Sequence, residues 1–64
     1  MLNFASTVCP PDKIEALRRI DAGQPNYYAG SVREFIIPGG SDGFEVVLID
    51  VRHDADLREA GLID

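Results

Sequence analysis

The chain holds 64 residues, 45% hydrophobic and 27% charged, with 11 acidic against 6 basic residues and a formal net charge of −5. That length allows one domain over residues 1–64 and excludes an enzyme built from separate cofactor and substrate domains, while the composition excludes the disordered class. The acidic balance speaks against direct binding to a phosphate backbone or an anionic membrane, and suits a partner that is itself basic.

Cys9 is the only cysteine, so no internal disulfide framework exists to staple a small secreted fold. Met1 to Cys9 lacks the basic start and long apolar run of a signal peptide. The longest apolar run, Val46 to Ile49, is strand-sized and far short of the roughly 20 residues a membrane span needs. The expectation is a complete small cytoplasmic product.

Leu2 to Val8 alternates loosely and reads as a first strand, ended by Cys9-Pro10-Pro11 because proline cannot donate to a ladder. A helix follows. Pro10 and Pro11 suit its first turn, Asp12 and Glu15 have capping-box spacing, and Ile14, Leu17 and Ile20 form an apolar stripe. Gly23 is placed to stop it in the left-handed conformation. After a connection carrying Tyr27 and Tyr28, Ser31 to Ile37 reads as a second strand. Pro38-Gly39-Gly40-Ser41-Asp42-Gly43 is a turn. Phe44 to Arg52 is the strongest strand, apolar on both faces through Phe44, Val46 and Leu48 and through Val47, Ile49 and Val51, a pattern suited to a central strand. Asp54 is a natural N-cap for a short helical turn through Ala60, closed by Gly61. The sum is an α+β fold, β-α-β-β-α. We expect a mainly antiparallel three-stranded sheet in the order 1-3-2, with one helix on one face and the tail covering part of the other.

No arrangement of residues calls for catalysis or a cofactor. His53-Asp54-Ala55-Asp56 pairs the only histidine with two carboxylates, too few and too local for a divalent metal site, so Asp54 is assigned to capping. Cys9 lacks a nearby base and reads as a small buried hydrophobe. The glycine-rich loop precedes a strand rather than a helix N-terminus, which excludes a phosphate cradle. Tyr27 and Tyr28 are candidate interface anchors. The expectation is a non-enzyme without metal or cofactor.

The charge is unevenly placed. Residues 1–41 hold four acids and four bases, whereas residues 42–64 hold Asp42, Glu45, Asp50, Asp54, Asp56, Glu59 and Asp64 against Arg52 and Arg58. Carboxylates two apart along a strand stand about 6.6–6.8 Å apart, close to the spacing of phosphates along a nucleic-acid strand. If the seven acids converge, they form a partner-binding face able to occupy an Arg/Lys-lined groove built for DNA.

In size, charge and its acidic C-terminal third the chain resembles the small phage-encoded anti-CRISPR proteins, some of which are DNA mimics. The resemblance implies a stoichiometric inhibitor that occludes the DNA-binding surface of a CRISPR effector subunit in a bacterial host, without touching nucleic acid or membrane itself. The alternative is an accessory or antitoxin-like subunit that binds through a sheet edge and Tyr27/Tyr28. Either would act as a monomer or weak homodimer.

Overall fold

A computed structural model describes residues 6–25 and 27–64. Strand β1 spans Ser6–Val8, and the rest of the expected Leu2–Val8 strand lies outside the described residues. Its ladder ends where the Cys9 N–H donates to the Ile36 carbonyl at 2.8 Å, since Pro10 and Pro11 have no N–H to continue it. A 3₁₀ turn, Pro11–Lys13, leads into helix α1, Ile14–Ala22. Asp12 makes no side-chain cap at either junction, so the capping-box expectation is corrected. Leu17 is fully buried, with Ile14 and Ile20 packed beside it. Gly23 has φ −87°, inside the right-handed region, so it is not the left-handed stop expected of it. Pro25 supplies the stop instead, because its ring clashes with a continuing helix and disfavours helical geometry in the preceding residue.

Strands β2, Val32–Pro38, and β3, Phe44–Asp50, form an antiparallel hairpin. Its turn contains Gly39, Gly40 and Gly43 at φ of +118°, +85° and +91°, closed by the Gly39 N–H donating to the Gly43 carbonyl at 2.9 Å. A second 3₁₀ turn, Val51–His53, precedes helix α2, Asp54–Glu59. Gly61, at φ +77°, ends it in a Schellman arrangement. The Leu62 N–H reaches the Leu57 carbonyl at 2.8 Å, and the Gly61 N–H reaches that of Arg58 at 3.0 Å. Leu57 and Leu62, brought together by this turn, are both buried.

The fold is α+β, as read from the sequence, but the sheet order is β1-β2-β3 and not 1-3-2. β1 runs parallel to β2, as the crossover requires, yet pairs with it directly, Val8 opposite Ile36. This makes the sheet mixed and leaves β3 at an edge. The apolar pattern that argued for a central β3 is satisfied on one face only. Val47 and Ile49 are buried, whereas Phe44 and Val46 remain 53% and 45% exposed.

Both helices cover the same face. Phe35, Ile37, Val47 and Ile49 from the sheet meet Leu17, Leu57, Leu62 and Cys9 in a single core cluster. The tail therefore does not cover the opposite face, contrary to expectation. Two short helices carry one apolar stripe each, enough to close one layer of a small domain and no more. No described helix is long and apolar enough to cross a membrane.

Candidate functional site

The seven C-terminal acids do not form one free patch. Asp42 is exposed in the hairpin turn at one end of β3, and Asp50 closes the other end, about 20 Å away along the strand. Glu45 sits under α1, where Arg18 grips it with both terminal nitrogens at 3.1 and 3.0 Å. That hydrogen-bonded pairing, then the charge of Arg18, holds the Glu45 carboxyl below its usual range. Arg33 holds Asp54 in the same two-pronged way at 2.7 and 2.8 Å, again lowering the carboxyl, and this half-buried pair ties β2 to the start of α2. Asp54 is the first residue of α2 and does not cap it.

Asp50 is fully buried. Its side chain caps the second 3₁₀ turn, accepting from the Arg52 N–H at 2.9 Å and from the Ala29 N–H at 2.6 Å. The Arg52 N–H does most to lower its pKa, burial opposes that effect, and the Ala29 N–H adds to it. The guanidinium of Arg52 lies 3.3 Å from the carboxylate and 5.6 Å from the Tyr27 ring centroid. A carboxylate spent this way presents nothing to a partner, so Asp50 leaves the expected binding face and becomes a structural cap.

Asp56, Glu59 and Asp64 remain exposed. Asp56 and Glu59 stand on one side of an open groove of about 540 Å³ between α1 and α2. Its small and apolar lining comes from Ala16, Ile20, Gly23 and Ala60, and Arg19 faces it from α1. Arg19 is drawn towards Glu15, one helical turn back, at 3.2 Å. His53 lines the same groove, its Nδ1 3.9 Å from the Asp56 carboxylate, while its buried Nε2 has no hydrogen-bond partner among the described residues. Asp64 is drawn to α2 through its backbone oxygen, which accepts from Arg58 Nε at 3.0 Å. With Asp54 turned to Arg33, the His53-Asp54-Asp56 run does not converge. Among the described residues no group of three or more ligating side chains is arranged to hold a metal. Cys9 is buried in the core, and desolvation first, then Asp12, pushes its thiol pKa up.

Two features escaped the sequence. The first is the uncovered sheet face, where Val8, Val32, Phe44 and Val46 are 60%, 40%, 53% and 45% exposed. Its signal is the pair of apolar faces of Phe44 to Val51, a pattern that an edge strand with one open face meets as well as a central one. The second is Gln24, whose amide acts as a substitute strand on the open edge of β3. Its Nε2 donates to the Leu48 carbonyl at 2.6 Å and its Oε1 accepts from the Asp50 N–H at 3.1 Å. Nothing in the local sequence marks a loop glutamine for that task. Tyr27 and Tyr28, beside this loop, are 64% and 46% exposed.

Comparison with known protein families, with characterised proteins and with solved structures finds no match to this chain.

Proposed function

We propose that the protein is a stoichiometric, non-catalytic binding module whose helical side engages a cationic, nucleic-acid-binding surface of a partner protein in the cytoplasm, as an anti-CRISPR inhibitor occludes the DNA site of an effector complex. The observation that carries this reading is the α1/α2 groove. There Asp56 and Glu59, neither paired with an arginine among the described residues, share a wall over small residues. Asp42 and Asp64 add negative field at a distance, whereas Glu45, Asp50 and Asp54 are already engaged by Arg18, Arg52 and Arg33. The active set is thus smaller than the seven acids of the C-terminal third.

The test is a gel-shift assay in which the purified protein competes with target DNA for a panel of CRISPR effector complexes. Wild type should block DNA binding at near-stoichiometric ratio, weaken steeply with added salt, and lose at least about tenfold in potency in the double variant Asp56→Lys/Glu59→Lys. No inhibition, or equal inhibition by the folded double variant, overturns the reading.

A second reading, an accessory or antitoxin-like subunit, is favoured by the exposure of Tyr27 and Tyr28. Contact through those rings would respond little to salt and would be lost on Tyr27→Ala or Tyr28→Ala.

A further inference from the structure

We infer that the uncovered face of the sheet is a self-association surface, closed by the same face of a second copy of this chain. The inference goes beyond the cationic-partner reading, because it concerns the opposite side of the sheet and a different class of contact. The pairing register defines this face. Val8, Ile36 and Val46 lie side by side across the three strands, Pro38 and Phe44 adjoin them at the turn end, and Leu48 lies opposite Glu34. Both helices pack on the other side, and Phe44, Val46 and Val8 are each about half exposed or more.

Charge selects the occupant. A chain of net charge −5 repels its own copy wherever carboxylates meet. Among the described residues the only partly exposed charge on this face is Glu34, whose carboxylate accepts from the Ser6 hydroxyl, since Asp50 is buried. Two sheets stacked face to face sit about 10 Å apart, and each helical layer stands roughly another 10 Å behind its sheet. The acidic grooves of the two copies are then about 30 Å apart, against a screening length of about 8–10 Å at physiological salt. Back to back, like-charged copies scarcely feel one another. A cationic partner gains nothing from an uncharged face and is drawn to the helical side instead.

Geometry and area set the mode and strength. The edge of β3 is partly closed by Gln24 at Leu48 and Asp50, which disfavours strand addition there and leaves the face as the route. A two-fold axis near Ile36, on the central strand, sets Val8 and Val46 of one copy across from the same rows of its partner, the aligned packing of a β-sandwich. Strands β2 and β3, seven residues each, with the three residues of β1 beside them at a spacing of about 4.8 Å, outline roughly 270 Å² per protomer. Counted over both protomers this still falls short of the ~1,200 Å² lower bound of stable interfaces, so the dimer is weak, of micromolar rather than nanomolar affinity.

Sedimentation velocity of the full chain from about 5 to about 500 µM tests this. Wild type should shift from monomer to dimer across that range, and the association should hold or tighten between about 50 and 500 mM NaCl as residual repulsion is screened. Val46→Lys and Val8→Lys, each confirmed as folded by circular dichroism, should weaken the dimer at least about tenfold, while Asp56→Lys/Glu59→Lys leaves it intact. A wild type that stays monomeric throughout, a dimer indifferent to both face variants, or one that dissociates as salt rises overturns the inference. None of these outcomes bears on the gel-shift result, so the two proposals fail separately.

Discussion

The two faces of the sheet are built from the same kinds of residue and end in opposite environments. Phe35 on β2 is 1% exposed beneath the helices, whereas Phe44 on β3 is 53% exposed on the other side. Val47 and Val46 are adjacent in sequence, and only the first is buried. Apolar content therefore does not decide which face becomes core. The helices and the turn that ends α2 decide it, because Leu17, Leu57 and Leu62 can close only one layer and all three close the same one. A small chain with two apolar sheet faces and cover for one has surface left for another molecule.

The largest expected effect breaks this comparison at its aromatic pair. Phe35→Ala removes a ring from the closed layer and should destabilise by about 3–5 kcal/mol, against a total of roughly 3–10 kcal/mol for a domain this size. The variant should be largely unfolded in chemical denaturation. Phe44→Ala, measured at low micromolar concentration where the chain is monomeric, should shift stability by no more than about 1 kcal/mol. Equal losses from the two would mean that the outer face has an intramolecular cover.

Next comes the polar join between the two faces. Asp50→Ala leaves the Ala29 and Arg52 N–H groups without their acceptor in a buried site, and should lower the melting temperature by roughly 10 °C. The sign of its pH dependence follows from the lowered carboxyl pKa values of Glu45, Asp50 and Asp54. A depressed folded-state pKa contributes stability that is present above the unfolded value and lost as pH falls through the folded one. Stability should thus hold above about pH 5 and decline below about pH 4. Asp50→Asn, which keeps the shape without the charge, should flatten that decline in a pH series of thermal melts.

A smaller effect separates two glycines that look alike in sequence, each just past a helix. Gly61→Ala forces a side chain into φ +77° and towards the Lys13 ammonium, and should cost about 1–2 kcal/mol. Gly23→Ala, at φ −87° with only ordinary contacts to the Arg19 and Ile20 carbonyls, should be neutral or stabilise by up to about 1 kcal/mol. Denaturant midpoints of the two variants on opposite sides of wild type would confirm which helix ends in the left-handed conformation.

These pairs mark how far local reading reaches. The strands after Gly30, the glycine turn and the tail helix with its Gly61 stop are legible, because each rests on alternation or turn chemistry within a few residues, although the third strand ends at Asp50 instead of Arg52 and Asp54 opens α2 without capping it. Strand order was not. A right-handed crossover and a hairpin are satisfied by 1-2-3 and by 1-3-2 alike, and a two-faced β3 points to the centre of the sheet although its outer face is simply left open. The acidic site was half legible. The clustering of acids after residue 41 is plain in the sequence, but Arg33 reaches Asp54 across 21 positions and Arg18 reaches Glu45 across 27. No spacing rule links side chains that meet only through the fold. Asp50 was further hidden because its cap gathers the distant Ala29 N–H as well as a local one.

The smallest expected effect on stability sharpens the contrast between engaged and free carboxylates. The Arg18–Glu45 pair is bidentate at 3.1 and 3.0 Å, yet its side chains are 53% and 50% exposed, so solvent screens most of the attraction. Arg18→Gln should move the melting temperature by less than about 2 °C. Its consequence for binding should be larger, because it releases Glu45 and takes the net charge from −5 to −6 on the helical side. If cationic surfaces are recognised there, Arg18→Gln should compete with DNA in the gel-shift assay at lower concentration than wild type, with a steeper salt dependence. A variant that binds no better would mean that Glu45 stands outside the contact, confining the acidic footprint to Asp56, Glu59 and the groove they share with His53.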